Sequence, residues 1–313
     1  ALMALGRWAD AWIDYEARFD RQAMSGAARH PSRMPLPAWR GGAAPAGPLL
    51  AWGAPGRGDE VVGASLLPAL GARGARRVGG ASPRLVALLA RSFPGLRVVA
   101  RDDAALPAGC AAHVPLGSLM GILGWTPARL PMPPVLVADR ARAEAAVARH
   151  RRPGRRLVGL AWASGAGGGL GALKTLPRDD LARLVRGSDA VFLDLQYGDT
   201  ERMRAELAAE TGVEILRDRG IDVRSDIDGL AALCAACDAV VTTSNVTAHV
   251  AGSLGVETHV LVPSGHGQLW YWTPSPGAAA FYARATLHRQ DGADWRGAVE
   301  SVRAALALTP PTR

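Results

Sequence analysis

The strongest constraint on the fold is a regular alternation of segments over residues 157–262. Short, continuously apolar runs, which are typical of strands buried on both faces, are separated by stretches with helical periodicity. The pattern predicts strands at 157–163, 190–195, 213–216, 239–242 and 258–262, and helices at 178–186, 199–210, 228–237 and 246–254. Strands that alternate with helices pair in parallel through right-handed crossovers. We therefore expect a parallel sheet covered by helices on both faces.

A weaker form of the same alternation occupies residues 49–150. It predicts strands at 49–52 and near 77–78, 96–99 and 111–114, and helices at 59–70, 83–91 and 138–150. Pro153 and Gly154 then interrupt the chain before the strand at 157, which indicates a domain boundary near residue 150.

The first residues of the chain have a different pattern. Aromatic side chains recur at spacings of four, three and four, at Trp8, Trp12, Tyr15 and Phe19, which predicts one amphipathic helix over residues 1–22. A Pro-, Gly- and Ala-rich connection follows. The resulting division is a helical segment at 1–25, a first Rossmann-like domain at 26–150 and a second at 151–313, with a cleft between the two domains.

Composition narrows the classes of partner. The chain is 49% hydrophobic and 20% charged, and it contains no uncharged apolar run of about eighteen residues, so we expect no membrane span. The net charge of +8 comes from arginines spread along the chain, without the clustering and interleaved aromatic residues of a nucleic-acid site.

Three cysteines and the absence of a signal segment favour a reducing, cytoplasmic location. Cys234 and Cys237 fall within a predicted helix, which favours core packing over a redox or metal site.

Ligand sites in parallel sheets lie beyond the carboxyl ends of the strands, so the loops after residues 162, 195 and 242 are the candidates. The first of them contains Ser164 and several glycines and ends at Lys174, the only lysine in the chain. A compact ammonium group suits a phosphate, although the alternative is a solvated surface lysine. Neither standard nucleotide-binding loop is matched, because the glycines do not open a helix and Leu173 replaces the glycine of a Walker loop.

The loop after residue 242 begins a helix. Ser244 or Asn245 can cap it, and the free backbone N–H groups that follow, near Thr247 and His249, form an anion site that needs no metal. A simple cap with a packed histidine is the alternative.

Two further loops contribute candidates. Gln196 and Tyr197 follow the strand at 190–195 and suit hydrogen bonding and stacking with a nucleotide base. In the first half, Asp59 lies at a predicted helix start, where the helix dipole favours its ionised form and keeps it available as a base. A capping role is again the alternative.

Five segments then match one group of proteins in order: LVGLAW at 157–162, KTLP at 174–177, LQYGDT at 195–200, DIDGLAAL at 226–233 and SNVTAHVAG at 244–252. Together they resemble bacterial glycosyltransferases linked to tetratricopeptide repeats (TPR). That group is related to the heptosyltransferase-like family nine and more distantly to protein O-GlcNAc transferases. The resemblance covers about residues 40–305.

The resemblance implies a GT-B fold and an inverting, metal-independent transfer of a sugar from a nucleotide sugar, without a cofactor. It implies that Asp59 is the general base and that Lys174 and the helix start at 244–249 neutralise the leaving phosphate. His249 is then a second catalytic or donor-binding residue. Residues 1–25 would be the last helix of a TPR array, which would bind a protein acceptor such as flagellin through its Ser or Thr hydroxyls.

Three alternatives stay open at the level of sequence. The acceptor can be a lipid-linked or lipopolysaccharide saccharide, the protein can bind a nucleotide sugar without turnover, or it can be a dinucleotide-dependent dehydrogenase.

Overall fold

The computed structural model describes residues 2–308 except 4, 21–30, 32–33, 54–55, 102–105, 166–168 and 273–280. The described chain contains two sheets in which every neighbouring pair of strands is parallel. The first sheet has the order β3-β2-β1-β4 and the second the order β10-β9-β8-β5-β6-β7. The predicted mixed α/β fold with parallel sheets is therefore confirmed.

The strands are β1 Leu49–Trp52, β2 Arg77–Ala81, β3 Arg97–Ala100, β4 Ala112–Pro115, β5 Leu157–Ala161, β6 Val191–Asp194, β7 Ile215–Leu216, β8 Ala239–Thr243, β9 Glu257–Val262 and β10 Ala285–Arg289. Every residue of β1, β5, β6 and β8 is buried. This explains why the sequence shows these strands as continuous apolar runs rather than as alternating ones.

The α-helices are α1 Trp8–Tyr15, α2 Arg57–Ala64, α3 Leu67–Ala72, α4 Val86–Ser92, α5 Leu119–Ile122, α6 Arg140–His150, α7 Leu170–Leu173, α8 Arg178–Val185, α9 Glu201–Thr211, α10 Ile227–Ala236, α11 Val246–Leu254 and α12 Arg296–Ala305. Among the described residues, no helix is long and apolar enough to cross a bilayer.

Three local predictions differ from the structure. The helix predicted at 59–70 is divided into α2 and α3, with Pro68 at the start of α3, where its missing N–H costs no helical hydrogen bond. The helix predicted at 1–22 is regular over Trp8–Tyr15, turns at residues 16–17 and is helical again at 18–20, while residues 21–22 lie outside the described ranges. The edge strand β10 and helix α12 were not predicted, because β10 is only partly buried and lacks a continuous apolar run.

Helix α6, which the sequence assigns to the first domain, packs against α10 beside the second sheet. Arg142 forms an ion pair with Asp226 at the start of α10, and His150 Nε2 lies 2.8 Å from the buried Asp218 carboxylate. Met132 N donates to Phe281 O at 2.8 Å, so the segment after the first sheet is also hydrogen-bonded to the segment before β10 of the second sheet. The domain bounds 26–150 and 151–313 stay predictions.

Helix α1 packs at the junction of the two sheets. Its Trp12 indole nitrogen donates to Trp125 O at 2.8 Å, and the Trp12 ring meets Trp270, from the second half of the chain, edge to face at 5.2 Å. Trp8 also contacts Trp125, at 5.7 Å between ring centroids. The aromatic stripe is thus part of the aromatic core at this junction. Its descent from a TPR array stays a prediction.

Candidate functional site

The candidate site lies where the carboxyl ends of the two sheets face each other. Strand β1 leads into α2 on one side, and β8 leads into α11 on the other, and these two helices are in contact. Gly58 on α2 lies against His249 on α11. The two helix starts therefore meet across a cleft at the strand ends, which is where parallel sheets place their ligands.

Asp59 lies in the first turn of α2 and is half-buried. Gly56, the N-cap of α2, has no side chain to cap the helix, and the Asp59 carboxylate makes no hydrogen bond within the described part of the chain. The carboxylate folds back over Gly56, whose α-carbon has no room for a methyl group beside it. Burial raises the pKa of Asp59, and the cations Lys174 and Arg18 oppose that shift.

Lys174 reaches this same region from the other side of the cleft. It directly follows α7, and only 4% of its surface is exposed. Within the described ranges its ammonium has neither a hydrogen bond nor a carboxylate partner within 4 Å. Burial lowers the pKa of Lys174, and the negative charge of Asp59 opposes the shift. The side chain is thus packed among other residues while its ammonium contacts no counter-ion, so this position favours an anionic ligand.

The start of α11 has the capping geometry that the sequence predicts. Asn245 is the N-cap, and its Oδ1 accepts a hydrogen bond from Thr247 N at 2.9 Å. Ser244 Oγ accepts one from the Trp272 indole at 2.9 Å. The hydroxyl of Thr243, the last residue of β8, is fully buried and has no partner in the part of the chain that the structure describes. The helix start thus offers backbone N–H groups beside an unused hydroxyl.

Gln196 and Asn245 use their side chains to hold the loop after β5. Gln196 Oε1 accepts from Ala163 N at 2.8 Å, and Asn245 Nδ2 donates to Ala163 O at 3.1 Å. Both backbone groups of one residue are thereby fixed by the loops that follow β6 and β8. One acceptor site of the Gln196 carbonyl and one hydrogen of the Asn245 amide are thereby occupied. Direct donor binding by these two side chains stays a prediction.

The loop after β6 has its own buried support, which the sequence did not reveal. Asp194 Oδ1 accepts from Gln196 N at 2.8 Å, and its Oδ2 accepts from Arg217 at 2.8 Å. Thr200 also donates to Asp194. Burial raises the pKa of Asp194, while the hydrogen bonds from Thr200 and Arg217 and the Arg217 charge oppose that shift. Gln196 and Thr200 come from the loop that follows Asp194, but Arg217 comes from beyond β7, and this distant partner is not marked by a local motif.

The remaining predicted donor-site residues lie beside that loop. Ser164 is half-buried directly after Ala163. Tyr197 is half-buried, and its hydroxyl would lie 2.7 Å from a methyl group placed on Gly165. Residues 166–168 of the glycine-rich loop, including Gly167, lie outside the described ranges.

His249 is buried among aromatic side chains on α11. Its ring stacks on Trp272 at 5.1 Å between centroids, and its Nδ1 lies 2.9 Å from the Tyr282 hydroxyl. Burial and the nearby Lys174 charge lower the pKa of His249 to about 3. The imidazole is therefore neutral at physiological pH, and its other edge faces Gly58.

Two residues of the α1 region also act on the site, although the sequence placed them in a separate segment. The charge of Asp59 raises the pKa of Tyr15, after the larger effect of burial, and the Arg18 charge lowers the pKa of Asp59. Arg18 is fixed by its hydrogen bond to Ser118 Oγ at 2.8 Å. The aromatic spacing predicted a helix here, but it did not indicate which other segments of the chain that helix contacts.

Other titratable groups have structural partners. Glu60, next to Asp59, is fully buried, accepts from Ser82 N at 3.0 Å and pairs with Arg101 at 2.6 Å. Cys237 donates to Leu233 O at 3.2 Å, and burial raises its pKa to about 12, as core packing requires. No cluster of three metal-ligating side chains occurs among the described residues.

Comparison with known proteins places this geometry in a wider context. No family model matches the chain. Protein FlbA of Caulobacter vibrioides is 32% identical over 299 residues, covering 88% of this chain and 49% of FlbA. The chain therefore spans about half the length of this curated relative.

Three solved structures have a similar fold. The glycosyltransferase family 9 protein of Veillonella parvula has a TM-score of 0.58 at 11% identity, with 83% of this chain and 97% of that chain covered. ADP-heptose lipopolysaccharide heptosyltransferase II of E. coli has a TM-score of 0.53 at 14% identity, with 83% and 98% covered. E. coli heptosyltransferase WaaC with ADP gives 0.53 at 13%, with 83% and 98% covered. At these identities the likeness establishes the fold, which is that of GT-B-like glycosyltransferases.

Proposed function

We propose that this protein is a glycosyltransferase that moves a sugar from a nucleotide-sugar donor to an acceptor hydroxyl. The observation that carries the proposal is the ammonium of Lys174, which has no hydrogen bond or ion pair in the described chain and lies within electrostatic reach of both Asp59 and His249 on α11. A cation without a counter-ion and a helix start with free N–H groups fit a phosphate leaving group. The carboxylate at the same strand ends fits a general base. The shared fold with heptosyltransferases supports the same conclusion.

The donor phosphate would occupy the second half of the cleft. Its oxygens would accept hydrogen bonds from the free backbone N–H groups at the start of α11, where the helix dipole is positive. Lys174 would supply the full positive charge. These groups are buried before the ligand arrives, so they need little reorganisation to stabilise the charge that develops on the leaving phosphate. This arrangement needs no metal ion.

Asp59 would act as the general base. The acceptor oxygen attacks the anomeric carbon of the sugar while its proton passes to the Asp59 carboxylate. The bond from the anomeric carbon to the phosphate oxygen breaks, and its electron pair stays on the phosphate. A raised pKa brings a carboxylate nearer to the working pH and makes it a better proton acceptor. Attack in one step on the face opposite the phosphate inverts the anomeric configuration.

His249 would bind the donor rather than transfer a proton. With a pKa of about 3 it holds no second proton near neutral pH, so it is a poor general acid. If the Tyr282 hydroxyl donates to Nδ1, then Nε2 carries the hydrogen and can donate to a phosphate or sugar oxygen. The aromatic stack around the ring fixes its direction.

We further propose that the acceptor is a Ser or Thr hydroxyl of a protein such as flagellin, and that the reaction occurs in the cytoplasm. Support for a protein acceptor is the resemblance to TPR-linked enzymes, whose repeats bind polypeptides. Transfer to a lipid-linked or lipopolysaccharide saccharide is the main alternative. Incubating a cell lysate with the purified protein and a radiolabelled donor separates them, because label moves either into protein bands or into the lipid extract.

The first test is a thermal shift screen of UDP, GDP, ADP, CMP and NAD on the wild-type protein and on Lys174→Ala. A ligand that binds only the folded state raises its melting temperature. We expect at least one nucleoside phosphate to raise it in the wild type and to do so much less in the variant. A shift with NAD alone would favour a dehydrogenase and overturn the proposal. Binding without transfer or hydrolysis of the sugar would indicate a binding module.

A further inference from the structure

Tyr271 is a buried tyrosine whose hydroxyl has no partner in the described chain. It lies in the short 3₁₀ helix Trp270–Trp272, which follows β9 at the carboxyl end of the second sheet. Only 8% of the residue is exposed, and no hydrogen bond to its hydroxyl occurs among the described residues. The oxygen is not one of the enclosed polar atoms without a partner, as Thr243 Oγ1 is. The accessible part of Tyr271 therefore includes its hydroxyl.

Aromatic contacts hold the Tyr271 ring in place. It meets the rings of Trp270 and Trp272 edge to face, at 5.3 and 5.1 Å between centroids. Trp272 is fixed in turn by the hydrogen bond from its indole to Ser244 Oγ, and Trp270 packs against Trp125 at 5.6 Å. A ring locked by its neighbours presents its hydroxyl in one direction, which is what recognition of a ligand requires.

Tyr271 lies beside the groups that we propose for the donor and the acceptor. Its ring meets the His249 ring edge to face at 4.7 Å, and His249 contacts Gly58, the residue before Asp59. Burial raises the pKa of Tyr271, and the Asp59 charge raises it further, so the phenol keeps its hydrogen near neutral pH. Neither the phenol nor the Asp59 carboxylate has a hydrogen bond in the described chain. A donor and an acceptor without partners thus occur at the same part of the cleft.

The reaction geometry indicates which ligand group would meet this hydroxyl. In a one-step transfer, the anomeric carbon lies between the leaving phosphate and the acceptor oxygen. The sugar ring would then lie between the phosphate site at the start of α11 and the base Asp59, next to Tyr271. A phenol hydroxyl suits a sugar hydroxyl, because each of them both donates and accepts a hydrogen bond.

We propose that the Tyr271 hydroxyl binds a hydroxyl of the sugar carried by the nucleotide donor, an inference that rests on the proposed glycosyltransferase function. Tyr271 would thereby select the sugar without contributing to the affinity for the nucleotide. The leaving phosphate is the less suitable ligand, since Lys174 and the N–H groups of α11 already supply its donors. The acceptor hydroxyl is also less suitable, since its hydrogen passes to Asp59.

The test is calorimetry on the wild type and on Tyr271→Phe, which keeps the ring contacts and removes only the hydroxyl. One ligand is the nucleotide that gives the largest thermal shift. The other is its tightest-binding sugar conjugate among UDP-glucose, UDP-N-acetylglucosamine, GDP-mannose, ADP-glucose and CMP-sialic acid. We expect unchanged affinity for the nucleotide and an about three- to tenfold loss for the conjugate, as the loss of one hydrogen bond requires. Thr286→Val, which removes an exposed hydroxyl on β10, is the matched control and should change neither affinity.

Thermal unfolding without ligand checks that Tyr271→Phe is intact. It should melt at a temperature no lower than the wild type, because the hydroxyl has no protein partner. A lower melting temperature would show that the hydroxyl is structural, and an equal loss of affinity for nucleotide and conjugate would assign it to the phosphate. Unchanged affinity for both ligands would place it outside the sugar site. Each of these three results overturns the inference. A wild type that binds none of the nucleotides would contradict the proposed function itself, and the inference with it.

Discussion

The imidazole of His249 lies directly against the α-carbon of Gly58, so helices from the two halves of the chain meet without an intervening side chain. A methyl group built on Gly58 would lie 2.8 Å from His249 Cδ2 and 3.3 Å from Nε2. His249 cannot yield easily, because it is stacked on Trp272 and bonded to Tyr282. The glycine therefore sets the width of the cleft at Asp59, the next residue.

Gly58→Ala should separate the two helix starts by a few tenths of an ångström or more and lower turnover by at least about tenfold, because catalytic groups need placement on that scale. Steady-state kinetics with the best donor measures the loss. Gly297→Ala, on helix α12 where a methyl group meets nothing within 4 Å, is the matched control and should leave the rate unchanged. Equal rates in both variants would show that the contact at Gly58 does not matter for the reaction.

Lys174→Met should have opposite effects on the free protein and on ligand binding. Desolvation disfavours the charged form of Lys174, so replacing it should raise the free energy of unfolding of the ligand-free protein, by up to about 1 kcal/mol. The same change should abolish the thermal shift caused by nucleotide. Arg219→Met removes an exposed cation and controls for the change in net charge. A ligand-free Lys174→Met protein that melts lower than wild type would argue that the ammonium has a stabilising partner.

Asp59→Asn should preserve donor binding and reduce turnover by about 10²–10⁴, the usual contribution of a general base. Calorimetry with the nucleotide and a transfer assay measure the two effects separately. Asp14→Asn, at an exposed position of α1, is the control. Retained turnover would mean that Glu60, His113 or His249 is the base, although Glu60 and His113 already hold structural hydrogen bonds.

The protein should lose stability as the pH falls from about 6.5 towards 4. Burial lowers the pKa of His249 to about 3 and that of His288 to about 4, whereas an unfolded histidine has a pKa of about 6.5. Between these values the unfolded chain binds more protons, so acid favours unfolding by up to about 1.4 kcal/mol per pH unit for each group. Denaturant unfolding at pH 7.5, 6 and 5 measures the slope.

His288→Gln removes one of the three histidines whose pKa burial lowers, with His113 and His249, and should reduce that slope. Above pH 7 the variant and the wild type should show no pH dependence from this source. Equal stability of the wild type at pH 7.5 and 5 would show that neither imidazole stays neutral in the folded state.

The sequence predicted the positions of the strands well where burial on both faces leaves an unbroken apolar run. Strand β5 and helix α11 were located almost to the residue, since β5 is bounded by Gly154 and α11 begins at the Asn245 cap and ends before Gly255 in the left-handed conformation. The edge strand β10 was not predicted, because one of its faces is exposed to solvent and its sequence therefore lacks a continuous apolar run.

By itself, then, the sequence determined the parallel α/β architecture and drew attention to Lys174, Asp59 and the helix start at Asn245, because propensity, capping and apolar period are local properties of the chain. Only the tertiary structure decided which of these groups meet. It brought Gly58 against His249, left the Lys174 ammonium without an ion pair in the described chain, and turned Gln196 and Asn245 inward onto Ala163. Those contacts join residues from about 30 to 190 positions apart, and their formation depends on how two sheets pack, which no local pattern specifies.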